Sequence, residues 1–236
     1  MLGNRLATFM QTEKIISFRV FSSYDDDKDY TDLDKFHIDA AVFFDGRTFY
    51  VFTDVVNELI HKGYKTQVRS RKEMGAWIKA LDHETTLVGF NSNKLQYQLL
   101  LKAYDIQFKT IDLMDSIGLA AASYYDTSKP RFTLRECSRW NSVKQSILPH
   151  YTWMFTTIEL FDEWYSERFR SVAKNLAAEC EMIAKLAHRI RKRKQVRWLD
   201  RVSGKGVAIP MDFYGQIIPR GFFKGAKDDP SLEGSE

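Results

Sequence analysis

The stretch IDAAVFFDGRTFYVFTD, Ile38 to Asp54, narrows the fold more than any other, because two runs dense in β-branched and aromatic residues stand either side of Asp45-Gly46. Such residues suit a pleated, buried surface, and an Asp-Gly pair between them signals a tight hairpin. IISFRVF, Ile15 to Phe21, is a third run of the same kind, so three strands are expected to lead the domain. Downstream the pattern turns to alternation. SRKEMGAWIKAL opens with a Ser70-x-x-Glu73 capping box and sets Met74, Trp77, Ile78 and Leu81 on one helical face. TTLVGF is a short apolar strand, followed by Leu95, Leu99, Leu100 and Ala103 at helical spacing. FKTIDLMDS reads as another strand running into a loop. TLRECSRW carries a second capping box, Thr133-x-x-Glu136, and the segment from Thr156 to Ile190 sustains apolar positions as one long helix. Strands first, then strand-helix alternation, predict an α/β fold: a leading antiparallel set joined through helices to parallel strands in a mixed sheet.

A chain of 236 residues that is 44% hydrophobic can bury a sizeable core, and its length suits one large domain. The expected division is an N-terminal arm (1–14), the domain (15–197) and an irregular tail (198–236). The tail holds three of the five prolines and shows no helical period. Its patches VAIPMDFYGQII and RGFFKG are too apolar for a plain linker, so part of it is expected to lie on the domain or on a partner protein, and its last ten residues or so to be disordered. Cys137 and Cys180 have no Cys or His cluster around them, which argues against a disulfide framework or structural zinc. Neither a signal-peptide core nor a run of about 18 apolar residues is present. An intracellular setting, cytoplasmic or nuclear (or nucleoid), with no membrane partner, is expected.

The net charge of +4 is unevenly placed. YDDDKDYTDLD, Tyr24 to Asp34, lacks the glycine and terminal glutamate of a calcium loop and reads as a solvated loop. Near the back, Arg189, Arg191, Lys192, Arg193, Lys194, Arg197, Arg201 and Lys205 crowd together with only Asp200 opposing them. A helix C-terminus accounts for some of these cations through its dipole, but not for so many. With Trp198, and then Phe213, Tyr214, Phe222 and Phe223, the run suits phosphate contacts plus base stacking. A nuclear-import signal would have the same composition.

Taken in order, IISFRVFSS, IDAAVFFDGRTFYVFTD, TTLVGFNSNKLQYQLL, KTIDLMDSIG, FTLRECSRW and EWYSERFRSVAKNLAAECEMIAKLAHR resemble the ribonuclease-H-like 3'-5' exonucleases of the DEDD superfamily, over roughly residues 15 to 190. Gly89-Phe90-Asn91 and the helix after it carry the likeness best. In that family four acidic side chains hold two divalent cations that activate water at a phosphodiester. The resemblance puts Arg19 and Phe21 where the first two acids belong, Gln96 at the third and Glu179 at the fourth, with Asn175 in place of the tyrosine that positions the water. A second register, through FMQTEK, would put Gln11 and Glu13 at the first two positions. Neither register supplies an acidic pair. Two hard cations need several oxyanions, so no catalytic residue, metal or other cofactor is expected.

Asp112 and Asp115 are the nearest approach to a carboxylate pair, and are expected to cap the following loop and helix. The five histidines lie far apart, and VSGKG lacks the full order of a phosphate loop. The sequence therefore points to a catalytically degenerate exonuclease-fold protein that binds nucleic acid, expected to be single-stranded, as an accessory factor in replication, transcription or RNA processing. Two alternatives stand beside it. One is an active exonuclease using Mg2+ or Mn2+ with carboxylates such as Glu13, Asp112 or Asp115. The other is an interaction module whose tail docks on a nucleic-acid-processing assembly. In the first reading Arg19 and Phe21 point to one face of their strand, on which Gln96 and Glu179 are expected to converge, the guanidinium bridging Glu179 and the Gln96 amide oxygen and Phe21 closing the site to water.

Overall fold

The computed structural model describes residues 2–24, 33–59, 63–105, 107–125, 132–147, 156–199 and 206–213. Its centre is a mixed six-stranded sheet. The strands are β1 (Ile15–Tyr24), β2 (Phe36–Phe44), β3 (Thr48–Thr53), β4 (Lys65–Arg69), β5 (Thr86–Gly89) and β6 (Lys109–Asp112), in the order β4-β3-β2-β1-β5-β6. β2 is antiparallel to β1 and to β3, whereas β3/β4, β1/β5 and β5/β6 are parallel. The expected antiparallel lead joined to parallel strands is present. At the hairpin Gly46 takes φ +90°, and the Asp45 carboxylate accepts the amides of Arg47 (2.8 Å) and Thr48 (2.7 Å).

Side-chain alternation divides the sheet between two cores. Ile16, Phe18, Val20, Ala41 and Phe43 face Met74 and Ile78 of α2 (Arg71–Lys79) and Leu100 of α3 (Gln96–Tyr104). Ile15, Phe21, Val42 and Phe44 face the long α7 (Phe169–Arg193). Small residues bring that helix close: Ala177, Ala184 and Ala187 are fully buried, and Ser17 Oγ donates to the Cys180 carbonyl at 2.8 Å. Both expected capping boxes form, at Ser70–Glu73 and at Thr133–Glu136, the second opening α5 (Leu134–Trp140).

Asp54, just past β3, ties α2 down: its carboxylate accepts from Ser70 Oγ (2.8 Å), the Arg71 amide (3.0 Å) and Arg71 Nε (2.6 Å). The Arg71 guanidinium first, then the Ser70 hydroxyl, lower its pKa from 3.8 to about 2. A folded value below the unfolded one means a contribution complete above pH 4 and lost as pH falls through 2. It is small, because the Asp54 and Arg71 side chains are 37% and 40% exposed. Asp54→Asn is expected to flatten the acid limb of a stability-pH profile between pH 4 and 2, checked by thermal melts. An unchanged limb would show that the anchor carries no charge-dependent stability.

Several elements depart from the sequence reading. The arm is a helix, α1 (Leu2–Thr12), whose Leu6, Ala7 and Met10 are buried. β4 is a sixth strand on the sheet edge, and α4 (Leu113–Tyr125) replaces the loop expected after β6. The expected single helix is two, α6 (Thr157–Tyr165) and α7, separated where Glu167 takes φ 59°. On one continuous helix Trp164 and Phe169 would point about 140° apart. The break lets their rings meet edge to face at 4.7 Å. Finally, the boundary at 197/198 falls inside a strand. β7 (Gln195–Leu199) pairs antiparallel with β8 (Gly206–Pro210), and Val196, Trp198, Ile209, Met211 and Phe213 are buried against the domain. This part of the presumed irregular tail is regular structure. The remainder of the tail, with Arg201, Lys205, Tyr214, Phe222 and Phe223, and residues 25–32 of the acidic run, lie outside the described residues.

Candidate functional site

Arg19 and Phe21 share the face of β1 that looks at α7, as strand alternation requires. Glu179 reaches them from the middle of that helix, and the Arg19 and Glu179 side chains form an ion pair, 17% and 6% exposed. Nε of Arg19 and Oε2 of Glu179 touch without the alignment of a hydrogen bond. The guanidinium also donates through Nη1 to the Phe90 carbonyl at 2.8 Å, just past the end of β5. One turn back on α7, Asn175 Nδ2 donates to Glu179 Oε1 at 3.3 Å. Phe21 is buried beneath Phe161 (5.2 Å between centroids) and Trp164 (5.0 Å), which closes this side to water.

Gln96 stands elsewhere than expected. β5 pairs with β1 only as far as Ser17, so among the described residues the β1 backbone beyond it has no strand partner on that side. The Gln96 side chain fills the gap, its Oε1 accepting the Val20 amide at 3.0 Å. Its bond is to the strand rather than to Arg19, because an orphaned backbone N–H is costly. The second register falls outright: Gln11 lies in α1, and Glu13 faces Arg191 at 3.3 Å.

Asp112 is the acid that the fold draws on most. From the end of β6 its carboxylate accepts the amides of Asn91 (2.9 Å), Ser92 (2.5 Å) and Asn93 (3.1 Å) on one side, and of Met114 (2.9 Å) and Asp115 (3.3 Å) on the other. It ties the turn after β5 to the start of α4, and its side chain is buried. The capping expectation holds for Asp112. Gly89-Phe90-Asn91 is explained at the same place. A Cβ on Gly89 would lie 2.0 Å from Ser92 Oγ, Phe90 is buried, and Asn91 takes the left-handed φ of 52° that asparagine tolerates.

The residues present do not fit a pair of divalent cations. Arg19 already neutralises Glu179, Asp112 is saturated by amides, and the Gln96 oxygen is held by Val20. Among the described residues no three His, Cys, Asp or Glu side chains gather as a ligand set. Above the ion pair opens a cleft of 560 Å³ whose walls include Phe132 and Leu160, with Arg135 and Arg139 exposed at its rim. Both cysteines are free and buried, and burial pushes both thiols up, which leaves them protonated and poor nucleophiles.

The basic run is dispersed by the end of α7. Lys194 takes the left-handed cap (φ 55°) that turns the chain into β7, Arg191 is turned to Glu13, and Lys192 and Arg193 are exposed. Arg189 and Arg197 are half-buried, and the Arg197 backbone is held on both sides by the Asn141 amide, N to Oδ1 at 2.8 Å and O to Nδ2 at 3.1 Å. Trp198 does not serve as an exposed stacking platform. It is 6% exposed, with its ring edge-on to Phe132 and Trp140 at 5.1 Å each, because β7 alternation turns it inward with Val196. Phe213 is likewise buried. The period-2 pattern of Val196 and Trp198 was the signal for this.

No family model and no curated protein matches the chain. No described helix is long and apolar enough to cross a membrane.

Proposed function

We propose that the chain is a nucleic-acid-binding protein on a ribonuclease-H-like, exonuclease-type scaffold in which an ion pair has replaced the metal site. The observation that carries this reading is the contact of Arg19 with Glu179. It joins β1 to α7, two of the three elements that the resemblance assigns to the catalytic acids, and sets a guanidinium where that reading would need cations; the third element, the start of α3, is tied to β1 through Gln96 and the Val20 amide instead. The mixed sheet is compatible with this reading, since three antiparallel strands lead and parallel strands follow as the sequence pattern implied, with β4 added as a parallel edge strand. Without a metal pair, binding is left as the work of the protein, as an accessory factor inside the cell, with cations near the end of α7 meeting the phosphates.

Incubated with labelled single-stranded DNA or RNA and Mg2+ or Mn2+, the protein is expected to retain the label at full length, and EDTA or added Mg2+ to leave its melting temperature unchanged. Metal-dependent shortening from the 3' end that is lost in Glu179→Ala would restore the active-exonuclease alternative and sink this reading.

A further inference from the structure

One side of α7 gathers cations from three parts of the chain. Lys185, His188, Arg189 and Lys192 stand at i, i+3, i+4 and i+7, one stripe along the helix. Arg5 of α1 closes a hollow of 390 Å³ with His188 and Lys192. Lys144, from the segment after α5, closes a second of 360 Å³ with Lys185, His188 and Arg189. The two meet at His188.

Among the described residues no carboxylate lines either hollow. Glu181, one turn before Lys185, is fully buried and is used internally: it accepts from the Ser146 amide (2.7 Å), Ser146 Oγ (2.6 Å) and Lys185 Nζ (2.6 Å). Lys185 is thereby neutralised. Arg5, Lys144, Arg189 and Lys192 form no ion pair among the described residues. Positive charge left uncompensated on a recessed surface is a site for a polyanion. The ionisation of its members agrees, since burial and then the Arg193 and Arg197 guanidinia lower the pKa of Arg189, and burial and then Lys192 lower that of His188. The half-buried His188 ring, packed on Phe9 at 4.8 Å, lies between the cations, where a base could stack on it. A duplex hides its base faces and gains nothing from a ring so placed. An acidic peptide has no use for it either.

We propose that this double hollow is the track for a single-stranded nucleic acid, with Arg5, Lys144, Arg189 and Lys192 on its phosphates. The assignment rests on the nucleic-acid reading above, and it puts the strand away from the cleft over Arg19 and Glu179. That cleft has arginines at its rim but carries Glu136 and Glu179 in its lining.

Fluorescence anisotropy of a labelled oligodeoxythymidylate, and of oligouridylate, across a salt series tests it. The exposed Arg5, Lys144 and Lys192 are replaced together by Gln, and the cleft-rim pair Arg135 and Arg139 separately by Gln. For three lost phosphate contacts the slope of log K against log salt should fall by roughly two units, while the rim pair leaves it unchanged. A slope that falls with the rim pair and not with the triple variant overturns the track but leaves nucleic-acid binding standing. Failure of the unsubstituted protein to bind either oligonucleotide at low salt removes the nucleic-acid reading itself. Polyglutamate displacing the oligonucleotide at equal charge concentration would assign the hollow to acidic protein segments instead.

Discussion

Arg19→Ala is expected to destabilise the protein by about 3 kcal/mol, the lower end of the range of about 3 to 5 for breaking one partner of a buried pair. The lower end applies because the Arg19 side chain keeps 17% of its surface in water, against 6% for Glu179. Two losses combine in the variant. The Glu179 carboxylate loses its guanidinium and keeps the Asn175 amide as its hydrogen-bond donor among the described residues, and the Phe90 carbonyl loses its donor. In a chain of this size the melting temperature should drop by roughly 6 to 12 °C. Glu179→Ala strands the guanidinium instead and should cost a similar amount. The double variant removes both charges, so its loss should fall short of the sum by about 1 to 3 kcal/mol. Strictly additive losses, measured by urea unfolding of the four proteins, would mean that the two side chains do not stabilise one another, and the account of what stands in place of metals would fail.

The same pair shows how far the sequence can be read. Strand alternation put Arg19 and Phe21 on one face of IISFRVF, and the resemblance chose Glu179 out of a long helix; together these led to the contact that the fold contains. They could not lead to the role of Gln96, because where β5 stops relative to β1 is a tertiary fact. The amide is recruited by the backbone of Val20, which no local pattern announces. Capping boxes and the Asp-Gly hairpin were legible because their partners lie within three residues. α1 was not, since its buried residues, Leu6, Ala7 and Met10, make a short stripe with no capping signature. Trp198 was misread for a different reason. Its neighbours in sequence are basic, but on a strand the neighbours that decide burial are two residues away, and Val196 is one of them.

Asp112→Ala is expected to be the most damaging single substitution at the site. Its carboxylate accepts amides from Asn91, Ser92 and Asn93 of one segment and from Met114 and Asp115 of another. Hydrogen bonds to a charged acceptor contribute about 1.5 to 3 kcal/mol each, and a buried donor left without a partner costs about 1 to 3 kcal/mol. Asn93 and Met114 are partly exposed and water can replace some of what they lose, but Ser92 is buried and cannot be reached. Even two stranded donors would remove several kcal/mol from a protein whose whole stability is of order 5 to 15. Asp112→Asn separates the causes. It keeps one acceptor oxygen and the shape but brings a donor NH2 toward amides that are themselves donors, so it should recover less than half of the loss. The turn after β5 should then open while the rest of the sheet holds, and amide exchange at Ser92 and Asn93 should accelerate ahead of that at Phe43 and Val51 in the sheet centre. Equal protection at all four positions in Asp112→Asn would show that the carboxylate does not hold this turn. It would also leave Asp112 available, and with it the metal-dependent alternative that its five amide bonds now oppose.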